Sequence, residues 1–286
     1  MEYSKPSRAS QLPQYFYSEL MYERFLDATL IQEEEINRAI NIKRQVKLTD
    51  NEEIEYDNLK YFIVNKKKFE EEFYEELLSI LSKDRTNLFC SIISENWYDG
   101  RVKRESKPVM QLMASVRNYL LEYRKVKNVS GIKVIYDIED GIEPNFEDDE
   151  IEEIIALNRR MLDGYLPNWL DGHPKKLEMG SSDIYCRRGV FLEKEFDSEE
   201  YFEWRFINSY SLAFSVTEKF AQMADTKTPA IINTNIANLR ERVLFFSPFI
   251  KGMPAEQFEF GIIPHWWTMR INKQEIHGGI IEYMVD

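Results

Sequence analysis

The sequence predicts an α+β protein, with a helical N-terminal region over residues 1–138 and a mixed α/β region over 139–286. Three observations carry this. Only Gly100 and Gly131 precede residue 140, whereas the other nine glycines follow it. Proline is absent from 14 to 107. The apolar pattern changes from helical spacing to short runs rich in β-branched and aromatic residues, broken by Gly, Pro and Asn.

Taken in order, Tyr17, Leu20, Met21, Phe25 and Ala28 suggest a first helical stripe. Phe69, Phe73, Leu77, Ile80 and Leu81 make a clearer one, surrounded by Glu70, Glu71, Glu72, Glu75 and Glu76. Val109, Leu112, Met113, Val116, Leu120 and Tyr123 form a third, with Ser106 placed as N-cap and Pro108 in the first turn, where its missing N–H is harmless. Such stripes are the usual core face of a helix bundle. Residues 139–153 hold nine acidic side chains and no basic one, so their start reads as a solvated linker. Asp148 or Asp149 then caps a helix carrying Ile151, Ile154, Ile155 and Leu162, closed by Gly164. Strands are expected at 184–188, 230–236, 242–247, 258–263, 266–271 and 279–284, with one helix at 216–224. His277-Gly278-Gly279 reads as a hairpin turn.

The formal charge is −13, from 50 acidic and 37 basic side chains in 286 residues. This excludes a broad nucleic-acid surface, which needs clustered Lys and Arg, and a polybasic membrane anchor. It leaves room for a small anionic ligand held by one local cation. No run approaches the ~18 apolar residues of a membrane span. The opening MEYSKPSRASQLPQ has no apolar core of a signal peptide, so a cytoplasmic location is expected, in the cell of synthesis or after delivery into a host. Cys90, Cys186, His173, His265 and His277 show no metal-ligand spacing, so no metal is expected, and the two cysteines read as small core residues.

Three motifs follow one another in the second half. Tyr185-Cys186-Arg187-Arg188-Gly189-Val190 ends a strand. Ala213-Phe214-Ser215-Val216-Thr217-Glu218 runs from a strand-like segment into a helix. Glu256-Gln257-Phe258-Glu259 enters another strand. Each has an ordinary structural explanation. Arg188 can be a strand-end surface arginine, Ser215 and Glu218 fit a capping box, and Glu259 can face solvent between Phe258 and Phe260.

In this order the motifs resemble the mono-ADP-ribosyltransferases of the arginine–serine–glutamate class, which include the enzymatic components of clostridial binary toxins and phage and bacterial effectors. In that family a strand ends in an aromatic residue and Arg-Gly. A later strand carries a Ser-Thr-Ser-like triplet before a helix, and a last motif reads Glu-x-Glu or Gln-x-Glu. The resemblance covers roughly 148–286, where Ala156-Leu157-Asn158 through Gly164-Tyr165 and Pro167-Asn168-Trp169-Leu170 also look like the family's helix and turn before the first strand. It implies a split β-sandwich of ADP-ribosyltransferase type for the second region. It also implies NAD as substrate and transfer of ADP-ribose to a macromolecular target, a protein by preference, with release of nicotinamide.

By the resemblance, Arg188 and Gly189 would bind NAD, together with Phe214, Ser215 and Thr217. An Arg fork matches phosphate geometry, and a glycine lets the backbone approach a ligand. Glu259 would be the catalytic carboxylate, hydrogen-bonded to the ribose 2′-OH and stabilising an oxocarbenium-like sugar. Ser215 would hold Glu259, and Gln257 would orient the acceptor. Phe249 could serve target recognition. The chain departs from the pattern in two ways. The triplet reads Ser215-Val216-Thr217, without its middle hydroxyl, and Arg187 separates Tyr185 from Arg188, which leaves Arg187 open as the NAD ligand. Glu256 leaves the register of the last motif ambiguous. Water as acceptor would make the chain an NAD glycohydrolase, and loss of catalysis would leave an interaction protein.

Overall fold

The computed structural model describes residues 62, 64–97, 106–123, 141–168, 185–192, 194–196, 201–202, 207–212, 214–221, 228–253, 258–264, 269–277 and 280–285. The stripe expected at 17–28, Gln257 and the tip of the hairpin at Gly278-Gly279 lie outside them.

Helix α1 spans Lys66–Ile80 and buries Phe69, Phe73 and Leu77, one residue per turn of its apolar stripe. Ser82 then opens α2, Lys83–Ser91, by accepting a hydrogen bond from the Arg85 N–H. The chain continues through a π-helical turn, Ile92–Trp97, that ends on a buried indole. Helix α3, Lys107–Asn118, follows Ser106 with proline in its first turn and runs into a second π-helical turn, Tyr119–Tyr123. Ser106 is its N-cap by position, but its hydroxyl donates to Asn96 Oδ1 (3.3 Å) rather than capping the helix.

The acidic segment is not a free linker over its described part. Ser115 Oγ accepts from the backbone N–H groups of Asn145 (3.1 Å) and Phe146 (3.0 Å), and Phe146 is buried against Phe89. Helix α4, Asp148–Asn168, starts with three acidic residues, where the helix dipole favours them. It runs four residues past Gly164, because one glycine costs a helix only about 1 kcal/mol and long-range packing outweighs it. Pairs of Arg85 with Glu150, Tyr119 with Glu152 and Tyr165 with Glu72 tie the helices together.

The second region is built on β1 (Tyr185–Leu192), β2 (Tyr201–Phe202), β3 (Asn208–Ser211), helix α5 (Phe214–Ala221), β4 (Thr228–Asn235), β5 (Val243–Phe246), β6 (Glu259–Ile262), β7 (Met269–His277) and β8 (Ile280–Val285). Their order across the sheet is β2-β7-β8-β4-β1-β3-β6-β5. The sheet is mixed: β4 and β8 run parallel, and the other neighbouring pairs are antiparallel. His277 pairs with Ile280, so β7 and β8 form the expected hairpin. Strands β2 and β3 were not expected, and β7 begins later and ends later than the run at 266–271.

Helices and sheet share a single hydrophobic core, from Phe62 to Val285. Phe246 stacks on Phe260 (4.2 Å) and meets Phe62 edge-on (5.1 Å). Asn158 on α4 is fully buried and donates through Nδ2 to Ile154 O (2.9 Å) and Leu244 O (2.8 Å), joining the helix to β5 by a polar contact inside the core. Among the described residues no helix is long and apolar enough to cross a membrane, and no group of three or more His, Cys, Asp or Glu side chains is placed to hold a metal.

Candidate functional site

The three motif-bearing strands are neighbours. Strand β1 lies between β4 and β3, and β3 lies between β1 and β6. Residue Arg187 of β1 pairs with Ser211 of β3, and Ser211 pairs with Glu259 of β6. Directly paired residues on antiparallel strands put their side chains on the same face. A guanidinium, a hydroxyl and a carboxylate therefore form one row across three strands, spanning about 10 Å. All three are buried, at 0%, 4% and 7% exposure.

Strand alternation assigns the remaining candidates. Gly189 shares the face of Arg187, whereas Cys186 and Arg188 share the other. Cys186 sits in the core, and burial pushes its thiol up. Arg188 is half-buried and donates from Nη1 to Ser209 O (3.2 Å). The resemblance points to Arg188 as the NAD ligand, but the register puts Arg187 in the row with Ser211 and Glu259. Tyr210 pairs with Phe260 on the core face, and burial there raises its phenol. On the same face the buried Arg242 guanidinium is lowered to about 9 by desolvation and donates to Ile263 O (3.0 Å) and Asn238 O (3.1 Å).

Gly189 has a packing reason to be glycine. An added Cβ would lie 1.9 Å from Thr217 O and 2.7 Å from Ala221 N, so α5 lies directly on β1 at this point. Thr217 itself is buried. Phe214 and Ser215 begin α5, so Ser215 belongs to a helical first turn and not to a strand. The serines on a strand that precedes this helix are Ser209 and Ser211, in the triplet Ser209-Tyr210-Ser211.

The environment of Glu259 is specific. Its backbone N–H donates to Ser247 Oγ (2.9 Å), and Oε1 accepts from Trp97 Nε1 (3.0 Å). Phe258 just before it has φ 45°, a conformation that L residues with bulky side chains rarely adopt. Glu259 is thus not a solvent-facing strand residue. Phe249 is also not a surface recognition element. It is fully buried, against Phe246 (5.1 Å), Phe69 (5.8 Å) and Phe73 (6.0 Å).

Sequence reasoning missed Ser211, Ser247 and Trp97. A signal existed for Ser211, because a serine triplet ends two residues before a helical run. None existed for Trp97, which is 162 residues from Glu259. No protein-family model, curated protein or solved structure matches the chain.

Proposed function

We propose that this chain transfers ADP-ribose from NAD to a macromolecular target, a protein by preference, and releases nicotinamide. The observation that carries the reading is the row Arg187–Ser211–Glu259 across β1, β3 and β6. It has the residue types that the arginine–serine–glutamate resemblance requires, in that order, on one face.

In this reading Arg187 holds the NAD diphosphate, with Arg188 relegated to the opposite face. The glycosidic C–N bond breaks and its electron pair leaves with nicotinamide. Glu259 bonds the ribose 2′-OH and stabilises the positive charge that develops on the sugar. The acceptor nucleophile then bonds to the anomeric carbon and loses its proton. Ser211, between cation and carboxylate, takes the serine role that the resemblance assigns to Ser215. Gly189 and Thr217 serve by setting α5, the helix that begins at Phe214, against β1 on the face of the row. Because Arg187 and Glu259 are both buried, NAD binding entails an opening of the cover over this face.

The experiment is incubation of the chain with adenine-labelled NAD, with and without a cell lysate, following free nicotinamide and macromolecular label. The reading expects both, and loss of both in Glu259→Ala and Arg187→Ala variants that remain folded. Nicotinamide without label would identify an NAD glycohydrolase. Neither product would identify a catalytically inactive interaction protein. Full activity in Glu259→Ala would remove the site.

A further inference from the structure

We infer that Trp97, contributed by the helical region, is a positioning residue for the Glu259 carboxylate. The inference rests on the reading of Glu259 given above and adds a function for the first half of the chain. Trp97 closes the π-helical turn Ile92–Trp97, an irregularity that recurs at functional sites, and the residue is 1% exposed. Its Nε1–H donates to Glu259 Oε1 at 3.0 Å. Indole offers one donor and no acceptor, so this contact suits a carboxylate and fixes one of its two oxygens.

The indole is itself held. Phe245 meets Trp97 edge-on at 5.9 Å and 72°. Phe245 occupies the space that a Cβ at Gly261 would need, 2.0 Å from its Cε1. Gly261 pairs with Phe245 and stands two residues after Glu259 on β6. The glycine admits the phenyl ring, the phenyl ring orients the indole, and the indole orients the carboxylate. From the other side Ser247 Oγ accepts the Glu259 N–H (2.9 Å), so backbone and side chain are both fixed next to the left-handed Phe258. The other oxygen, Oε2, is left for the ribose hydroxyl.

Trp97→Phe removes the donor and keeps an aromatic ring against Phe245. A charge-assisted hydrogen bond of this kind supports a fall in kcat for nicotinamide release of about tenfold or more, with KM for NAD within about twofold of the parent. A folded variant with unchanged kcat, or one in which KM alone rises, would overturn the inference. A second measurement does not depend on activity. The chain has five tryptophans, so indole-¹⁵N labelling gives five N–H resonances. In Glu259→Ala one of them moves upfield, and Trp97→Phe deletes that same resonance. If no indole resonance moves in Glu259→Ala, the inference fails, even where Trp97→Phe does not fold. If Glu259→Ala keeps full nicotinamide release while the indole resonance moves, the functional reading fails and the hydrogen bond stands.

Discussion

Replacing Gly189 by Ala tests how closely α5 sits on β1. The new Cβ would meet Thr217 O at 1.9 Å, and ordinary contact begins near 3.4 Å. Helix and strand must part by about 1.5 Å: the Cβ is fixed rigidly to the strand and the atoms it meets are helix backbone, so no rotamer change relieves it. Overpacking of this kind costs up to about 3 kcal/mol. The lower chain entropy of Ala in the unfolded state returns about 0.4–1 kcal/mol. The net expectation is a loss of about 2 kcal/mol, or about 3 °C in Tm for a chain of this size. Urea unfolding followed by circular dichroism gives the first quantity, and a thermal melt gives the second. Gly164→Ala is the control. This glycine is in α4 with nothing within 4 Å of an added Cβ, so the substitution should stabilise by about 1 kcal/mol. A Gly189→Ala protein as stable as the parent would refute the close approach, and the glycine would then be free for the ligand role that the resemblance implies.

Three further outcomes are expected. Ser211→Ala should lower nicotinamide release far more than Ser215→Ala, and the reverse order in a steady-state assay would return the serine role to α5. Asn158→Ala should cost about 2 kcal/mol, because it strips donors from the buried Leu244 and Ile154 carbonyls; chemical denaturation checks this. Burial raises the Cys90 thiol from 9.0 to about 11. Cys90 should therefore resist alkylation at pH 8 until the chain is unfolded. The sign for stability follows: between pH 9 and 11 the unfolded thiol ionises while the folded one keeps its proton, so this contribution declines as pH rises through that window. Thiol counting with and without denaturant, and a pH series of unfolding curves, read the two effects.

Much of the framework was legible in the sequence because burial dominated it. Runs such as Val243–Phe246 and Ile280–Val285 are buried along almost their whole length, and their composition says so. Strand β3 was not legible. Asn208-Ser209-Tyr210-Ser211 has the composition of a turn, and the tertiary pairing with β1 and β6 overrides it. The serine of the row is hidden for the same reason, and the hydroxyl-rich Ser215-Val216-Thr217, four residues on, belongs to α5. Strand β7 was misplaced because Asn272, Lys273, Gln274 and Glu275 interrupt its apolar pattern, although its ladder with β8 runs through this stretch with a register shift. The choice between Arg187 and Arg188 needed cross-strand register, which a single sequence does not contain.

The aromatic cluster around Phe249 carries a consequence for synthesis. Phe69 and Phe73 on α1 and Tyr165 on α4 emerge from the ribosome well before Phe249, their partner in the turn that follows β5. At about 5–20 residues per second, the 180 residues from Phe69 to Phe249 take on the order of 10–40 s. Through that interval the new helices carry an uncovered aromatic face, a surface that chaperones bind and that sticks to other nascent chains. The yield of native protein should therefore depend on how fast the ribosome crosses the stretch between α4 and β5.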